Sequence, residues 1–365
     1  MEEKVICSVC GETIVREDSF WVNGEYYCED CYNELTVVCD HCGETIPHGE
    51  ARMDSEHTLC MECYYEHYSC CEECGITIAN EDCYFLDDYD EYPYCYSCYQ
   101  RNLSRKNIHN YSYKPEPIFH GDGNRFFGIE LEVDYGGNIG DNAEKILDIA
   151  NDDDEDRLYI KNDSSIEDGF EMVSHPMTLD YHKKDMPWED IMKSLINMGY
   201  MSHKTATCGL HCHINRTAFG ETQEEQEEAI ARILYFVEHH WDEMLRFSRR
   251  TEVQMARWAN RYGTALGISP KKMMDDIKKC DYSRYRCVNI QNYYTIEFRM
   301  FRGTLKYNTF IATLQLINEI CNVAISLSDE EMTELSWNDF IKGINKDENT
   351  ELFTYLKERN LYEEV

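Results

Sequence analysis

Three segments alternate apolar and polar residues with a period of two, the mark of strands with one buried face. In residues 126–133, Ile129, Leu131 and Val133 fall on one face and Glu130 and Glu132 on the other. In residues 208–214, His211 and His213 stand opposite Leu210, Cys212 and Ile214; in residues 294–301, Glu297 and Arg299 stand opposite Ile296, Phe298 and Met300. Together they predict a sheet that packs its apolar face on helices and lines a polar cavity with the other. Helical cover is predicted over residues 222–249, rich in Glu at the start, and over the apolar stretch 310–327. Ser328-Asp-Glu-Glu331 has the form of a capping box and opens a further acidic helical tail.

Before residue 105 the pattern is a repeat. Cys7-x-x-Cys10, Cys39-x-x-Cys42 and Cys71-x-x-Cys74 recur with a period of 32, each followed by Gly and then x-Thr-Ile. Second pairs, Cys28/Cys31, Cys60/Cys63 and Cys95/Cys98, follow with 17, 17 and 20 residues between them and the first. Two such pairs can wrap opposite edges of a tetrahedral zinc ion, and the Gly lets the backbone turn toward the sulfurs. Each second pair runs into a helix-compatible stretch, so the unit resembles a treble-clef or LIM-like zinc module. Seven residues separate one unit's last ligand from the next unit's first, which favours sequential modules with local ligation over cross-braced pairing, the alternative. Cys70 and Cys83 read as spare thiols, although Cys70 could replace its neighbour Cys71.

Charge narrows the role of these modules. The 365-residue chain carries 70 acidic and 35 basic side chains, a formal net charge of −35. Residues 1–105 hold 24 acidic and 5 basic side chains; twelve thiolates and three zinc ions would leave that surface more negative still. Such a surface repels phosphate, so no nucleic acid is expected. The modules read instead as sites for a protein partner or a protein or peptide substrate, with Tyr26, Tyr27, Tyr64, Tyr65, Tyr92 and Tyr94 serving as contact area or as packing around the zinc knuckles. No membrane span is expected, since no stretch reaches 18 uncharged apolar residues. The start, Met1-Glu2-Glu3-Lys4, lacks the regions of a signal peptide, so the chain is expected in the cytoplasm. Disulfides, the competing use of paired cysteines, are rare there.

Composition then changes. Residues 101–125 turn basic and Pro/Gly-containing (Lys114-Pro-Glu-Pro117, Gly121-Asp-Gly123), a linker signature. The predicted organisation is zinc modules over 1–35, 36–68 and 69–104, a linker over 105–120, an α+β domain over 121–330 and the helical tail over 331–365. Glu-x-Glu, His-x-His and Glu-x-Arg at strand spacing in one domain favour a hard divalent ion, magnesium or manganese, beside a phosphate-bearing ligand. The acidic run 152–156 reads as a solvated loop.

Gly128-Ile-Glu-Leu-Glu-Val133, Glu171-Met-Val-Ser-His-Pro176, Cys208-Gly-Leu-His-Cys-His-Ile214 and Thr295-Ile-Glu-Phe-Arg-Met-Phe-Arg-Gly-Thr-Leu305 occur in the order seen in the amidoligase family, which this chain resembles over about residues 120–330. Those enzymes are carboxylate–amine ligases with a glutamine-synthetase-like fold, a curved, mostly antiparallel sheet packed on helices. The resemblance implies ATP-dependent amide or isopeptide formation through an acyl phosphate, with a small carboxylate or amine as possible substrate. It assigns Glu130, Glu132, Glu171, His211 and Glu297 to magnesium, and Arg299 and Arg302 to the transferring phosphoryl group. His213 becomes a nucleotide or substrate contact or the partner of a metal-holding side chain. Arg284 and Asn289 resemble a segment that touches nucleotide or substrate. The family often carries Asp-Gly-Ser where this chain has Asp163-Ser-Ser165; Ser resists the left-handed turn that Gly permits, so the loop and the role of Asp163 are expected to differ.

The resulting reading is an ATP-dependent ligase bearing three structural zinc ions. Two alternatives come from other classes. A non-catalytic zinc-module adaptor with a degenerate nucleotide-binding domain predicts partner binding indifferent to Glu297→Ala, and a metal-dependent hydrolase predicts activity without nucleotide.

Overall fold

The structure, a computed structural model, describes residues 3–22, 24–86, 91–151, 155–263, 267–280 and 283–362. It divides into two compact units, Met1–Asn102 and Leu103–Val365.

In the first unit the 32-residue repeat becomes a repeated local fold. Antiparallel hairpins pair Lys4–Ile6 with Thr13–Val15 and Phe20–Val22 with Glu25–Tyr27, and helix Glu29–Leu35 follows. The second copy pairs Thr36–Val38 with Thr45–Pro47 and Ala51–Met53 with Thr58–Cys60 before helix Met61–His67. The third pairs Tyr68–Cys70 with Thr77–Ala79, keeps a single Tyr84–Tyr94 bridge, and ends in helix Tyr96–Asn107. The first Cys pair sits in the turn of the first hairpin and the second pair at the helix start. Buried side chains are few: Leu59 and Ile46 beside the cysteines in the second copy, Ile78 in the third. Cores this small need a metal to hold them.

The second unit is α+β. Its six-stranded sheet is built from β1 (Phe127–Val133), β2 (Leu158–Lys161), β3 (Phe170–Ser174), β4 (Gly209–Asn215), β5 (Val288–Asn289) and β6 (Thr295–Arg302), in the order β2-β3-β1-β4-β6-β5 with every neighbour antiparallel. Ile129, Leu131, Leu210, Ile214, Ile296 and Phe298 are fully buried on its apolar face. Helix Tyr307–Ser326 buries twelve residues, nine of them in the same core. It is the one described helix long and apolar enough by length and composition to cross a bilayer, and two-thirds of its apolar 18-residue stretch is buried.

Several expectations change in detail. The helical stretch 222–249 is two helices, Gln223–His239 and Trp241–Ser248, broken at His240, whose ψ of 36° leaves the helical region. Thr222 and Glu225 form a capping box at the first, and Ser328 and Glu331 form the one read from sequence. The segment read as a linker lies within the second unit: Ile108 is buried in its core and His109 donates its backbone N–H to Ile160 O at 2.8 Å. Residues 331–365 bring helices Trp337–Gly343 and Thr350–Glu358, and the latter packs Leu352 and Leu356, both fully buried, with helix Tyr307–Ser326.

Strict alternation would turn Arg302 to the apolar face, because it shares parity with Phe298 and Met300. A β-bulge in β6 prevents this. Cys212 pairs with Phe298 and Leu210 with Phe301, so Arg299 and Met300 together oppose His211. Beyond the bulge the faces exchange: Phe301 joins the core, and Arg302, opposite Gly209, joins Glu297 and Arg299 on the polar face.

Candidate functional site

Four adjacent strands bring the polar side chains together. The ladder sets Glu171 opposite Glu132, Glu130 opposite His211, and His213 opposite Glu297. Glu130 is the hub: its Oε2 lies 3.1 Å from His211 Nδ1 and its Oε1 lies 3.3 Å from His213 Nε2. Glu297 Oε1 is 3.8 Å from His211 Nδ1 and 3.9 Å from His213 Nε2. Two sets of side chains therefore converge closely enough to share a cation, Glu130–Glu171–His211 and Glu130–His213–Glu297, with Glu130 common to both. Glu132 belongs to neither set; its Oε2 accepts the Gly209 N–H at 2.6 Å. A Cβ at Gly209 would stand 2.7 Å from His211 Nε2 and 2.9 Å from Arg250 Nη2, so a larger residue there would displace one of these side chains.

The remaining candidates surround these sets. Asn289 Nδ2 donates to Glu297 Oε2 at 2.9 Å, and Arg299 is ion-paired with Glu297 Oε1. Arg284 is exposed and hydrogen-bonded to the hydroxyls of Tyr111 and Tyr285, and Tyr285 lies beneath both Arg284 and Arg299. Asp163 accepts the N–H and hydroxyl of Ser165, a local turn, and among the described residues Ser164 has no left-handed backbone. Residues 152–154 of the acidic run lie outside the described residues; Glu155 binds Arg157 and Tyr181.

Sequence reasoning passed over Lys161 and Arg250. Lys161 Nζ lies 3.0 Å from Glu171 Oε2. Its signal was available in Leu158-Tyr-Ile-Lys161, whose alternation puts Lys161 on the polar face. Arg250 follows the left-handed residue Arg249 that ends helix Trp241–Ser248, and no sequence pattern announces it.

The electrostatics describe a site short of positive charge. Burial would push the Glu130 carboxyl up, but His213 and His211 outweigh it and hold it well below the usual carboxylate range. Burial, reinforced by Glu130, pushes the Glu171 carboxyl up to about 9 despite Lys161. Burial opposes protonation of His213, yet Glu297 and Glu130 raise it. Burial thus favours a proton on Glu171, and Glu297 and Glu130 favour one on His213; a divalent cation would supply the same compensation. Glu171 Oε2 and His213 Nε2 are buried with close neighbours but no hydrogen-bond geometry, as ligand atoms awaiting a metal would be. Carboxylates with one imidazole in each set suit magnesium or manganese.

The cysteines form three further sets, Cys7–Cys10–Cys28–Cys31, Cys39–Cys42–Cys60–Cys63 and Cys71–Cys74–Cys95–Cys98. Each set lies within one module, so zinc bound there would be ligated locally. Cys10–Cys28, Cys42–Cys60 and Cys74–Cys95 stand 3.7, 4.0 and 3.8 Å apart at sulfur. A tetrahedral zinc with bonds of about 2.3 Å sets its sulfurs about 3.8 Å apart, and a disulfide needs about 2.0 Å. Backbone N–H groups of Cys10 and Cys28 lower the Cys7 thiol to about 6. Burial resists the same effect at Cys39 and Cys71, but backbone N–H groups still bring each to about 6, in the thiolate range zinc needs. Gly11, Gly43 and Gly75 are left-handed, with φ of +74°, +75° and +72°, and return their N–H to the first cysteine's carbonyl. Cys70 takes the Tyr64 hydroxyl and Cys83 approaches Ala79 O, so both are spare.

Residues 145–321 match the family described as "Putative amidoligase enzyme". The matched segment contains Glu171, His211, His213, Asn289, Glu297, Arg299 and Arg302 and begins after β1, so Glu130 is contributed from outside it. No curated protein matches the chain.

Proposed function

We propose that this protein is an ATP-dependent carboxylate–amine ligase of glutamine-synthetase-like fold, and that its zinc modules recruit a protein partner or protein substrate. The observation that carries the reading is the pair of carboxylate–histidine sets sharing Glu130, on one sheet face of a domain whose larger part matches an amidoligase family.

In this reading Glu130, Glu171, His211, His213 and Glu297 hold magnesium or manganese, which when bound neutralises the nucleotide phosphates. Asn289 and Arg299 fix the Glu297 carboxylate between them. The bulge presents Arg299 and Arg302 from the same face, placed to meet negative charge on a transferring phosphoryl group. A substrate carboxylate takes the γ-phosphoryl of ATP, releasing ADP; an amine then forms the amide, releasing phosphate and a proton. Lys161 acts by position, holding Glu171 against its acidic neighbours. On the zinc modules Trp21, Tyr65 and Tyr92 are exposed, which supports contact with a partner, whereas Tyr26, Tyr27, Tyr64 and Tyr94 are half-buried around the knuckles.

The test is phosphate release from ATP by the full chain with magnesium, with and without ammonia, glutamate or lysine. Release that needs metal and rises with an amine supports the ligase. Hydrolysis of amide substrates without nucleotide would replace it with the hydrolase.

A further inference from the structure

A second polar feature lies at the end of β4 and β6. Arg246, Arg249, Arg250, Arg302, Arg359 and His203 line a cavity of about 620 Å³, within the usual range for a small-molecule site. Among the described residues, the only acidic side chain on its wall is Asp242, which is exposed. In a chain of net charge −35, so many guanidinium groups around one hollow are unlike the rest of the molecule.

None of the five arginines makes a carboxylate ion pair among the described residues; they are held by main-chain oxygens. Arg249 donates to Arg302 O at 2.8 Å, Arg250 to Phe301 O at 3.3 Å, and Arg302 to Thr205 O at 3.3 Å. Arg359 donates to Arg246 O at 2.8 Å, and Arg246 to Asn360 O at 3.3 Å. These bonds fix the side chains without neutralising them. Arg250 is 7% exposed, and its Nε has no hydrogen-bond partner; Nε of Arg302 has none either. Unsatisfied buried cationic donors are costly, and an anionic ligand is one group that would complete them. Burial, together with Arg299 and Arg302, pushes the Arg250 guanidinium down to about 10 despite Glu132. Arg249, a non-glycine residue at φ +63°, makes the left-handed turn between helix Trp241–Ser248 and Arg250.

The cavity also adjoins the carboxylate–histidine sets. Arg250 Nη2 and His211 Nε2 both lie within 3 Å of the point where Gly209 would carry a Cβ, at 2.9 and 2.7 Å. We propose that this arginine-lined cavity binds the oxyanion groups of a small polyanionic ligand, holding it with its reacting end toward the Glu130 sets. The proposal rests on the ligase reading for the ligand's being a substrate, and on the cavity alone for its being an anion. Two sources supply that chemistry: the phosphate chain of the nucleotide and the carboxylates of an acidic substrate.

Calorimetry on the full chain, without added divalent metal, tests it with two probes, tripolyphosphate and tricarballylate. At least one is expected to bind one to one, to weaken as salt rises, and to lose about tenfold or more in affinity in the Arg246→Gln/Arg359→Gln variant. Tighter tripolyphosphate binding assigns the cavity to the nucleotide, and tighter tricarballylate binding assigns it to an acidic substrate. If neither probe binds at millimolar concentration, or the variant binds as well as the parent, the proposal is wrong. Arg246→Gln alone, at an exposed residue, repeats the test if the double variant melts early. Probe binding without amine-stimulated phosphate release would sink the ligase and leave the cavity; the reverse pattern would sink only the cavity.

Discussion

Glu130 on β1 faces His211 on β4 across the antiparallel ladder, carboxylate to imidazole at 3.1 Å, while its other oxygen reaches His213. One side chain thus serves both candidate metal sets. Glu130→Gln keeps the shape and removes the charge, so it should weaken manganese binding at both sets together, by about 100-fold. Titration calorimetry with manganese would decide: a variant that still binds two ions with the parent's affinity would mean that Glu130 is not the common ligand.

Local ligation in the cysteine modules makes zinc content a count. Metal analysis of the purified chain should give three zinc, and Cys39→Ser should give two, with the first and third modules intact. Loss of two ions from that single change would instead indicate shared ligands between modules.

Gly43 is left-handed at φ +75°, and nothing lies within 4 Å of where its Cβ would be. The cost of Gly43→Ala is therefore conformational alone, about 1 kcal/mol. In competition with a chelator the second module should hold zinc about fivefold more weakly. No change would mean that the turn relaxes freely.

His182 is fully buried. Trp188 Nε1–H donates to its Nδ1 at 3.1 Å, which leaves its Nε2–H to donate to Phe127 O at 3.0 Å. Burial lowers its pKa from 6.5 to about 4, despite the Phe127 carbonyl. The folded chain keeps the ring neutral where the unfolded chain would protonate it. Its contribution is thus complete above pH 6.5 and is lost as pH falls toward 4, about 3 kcal/mol in all. Urea unfolding of His182→Gln and its parent should differ by about 2 kcal/mol less at pH 4.5 than at pH 7; a constant gap would contradict this.

Much of the site was legible because strands and repeats write themselves in short periods. The alternation around Glu130, His211 and Glu297 gave both the faces and the residues, and Cys spacing gave the ligand sets. Arg302 needed the bulge, which exchanges faces without leaving a mark in the alternation. Glu132, which alternation placed with Glu130, instead spends its carboxylate on the Gly209 N–H. Arg250 and Arg359 depend on how helices Trp241–Ser248 and Thr350–Glu358 pack, a long-range outcome no local period records. The apolar positions of the closing helices, Leu352 and Leu356 among them, were hidden within an acidic composition.

The bulge at Arg299–Met300 also makes β6 two reading frames joined at one point. A residue deleted between Glu297 and the bulge, with the bulge kept, would carry Glu297 off its register with His213 but leave Arg302 in place. A residue deleted at the bulge itself would restore a regular ladder and leave both Glu297 opposite His213 and Arg302 opposite Gly209, losing only one of the two residues that share His211. In this strand a deletion is therefore absorbed at the bulge and not beside it: there it removes one spare residue, whereas elsewhere it turns one half of the strand over.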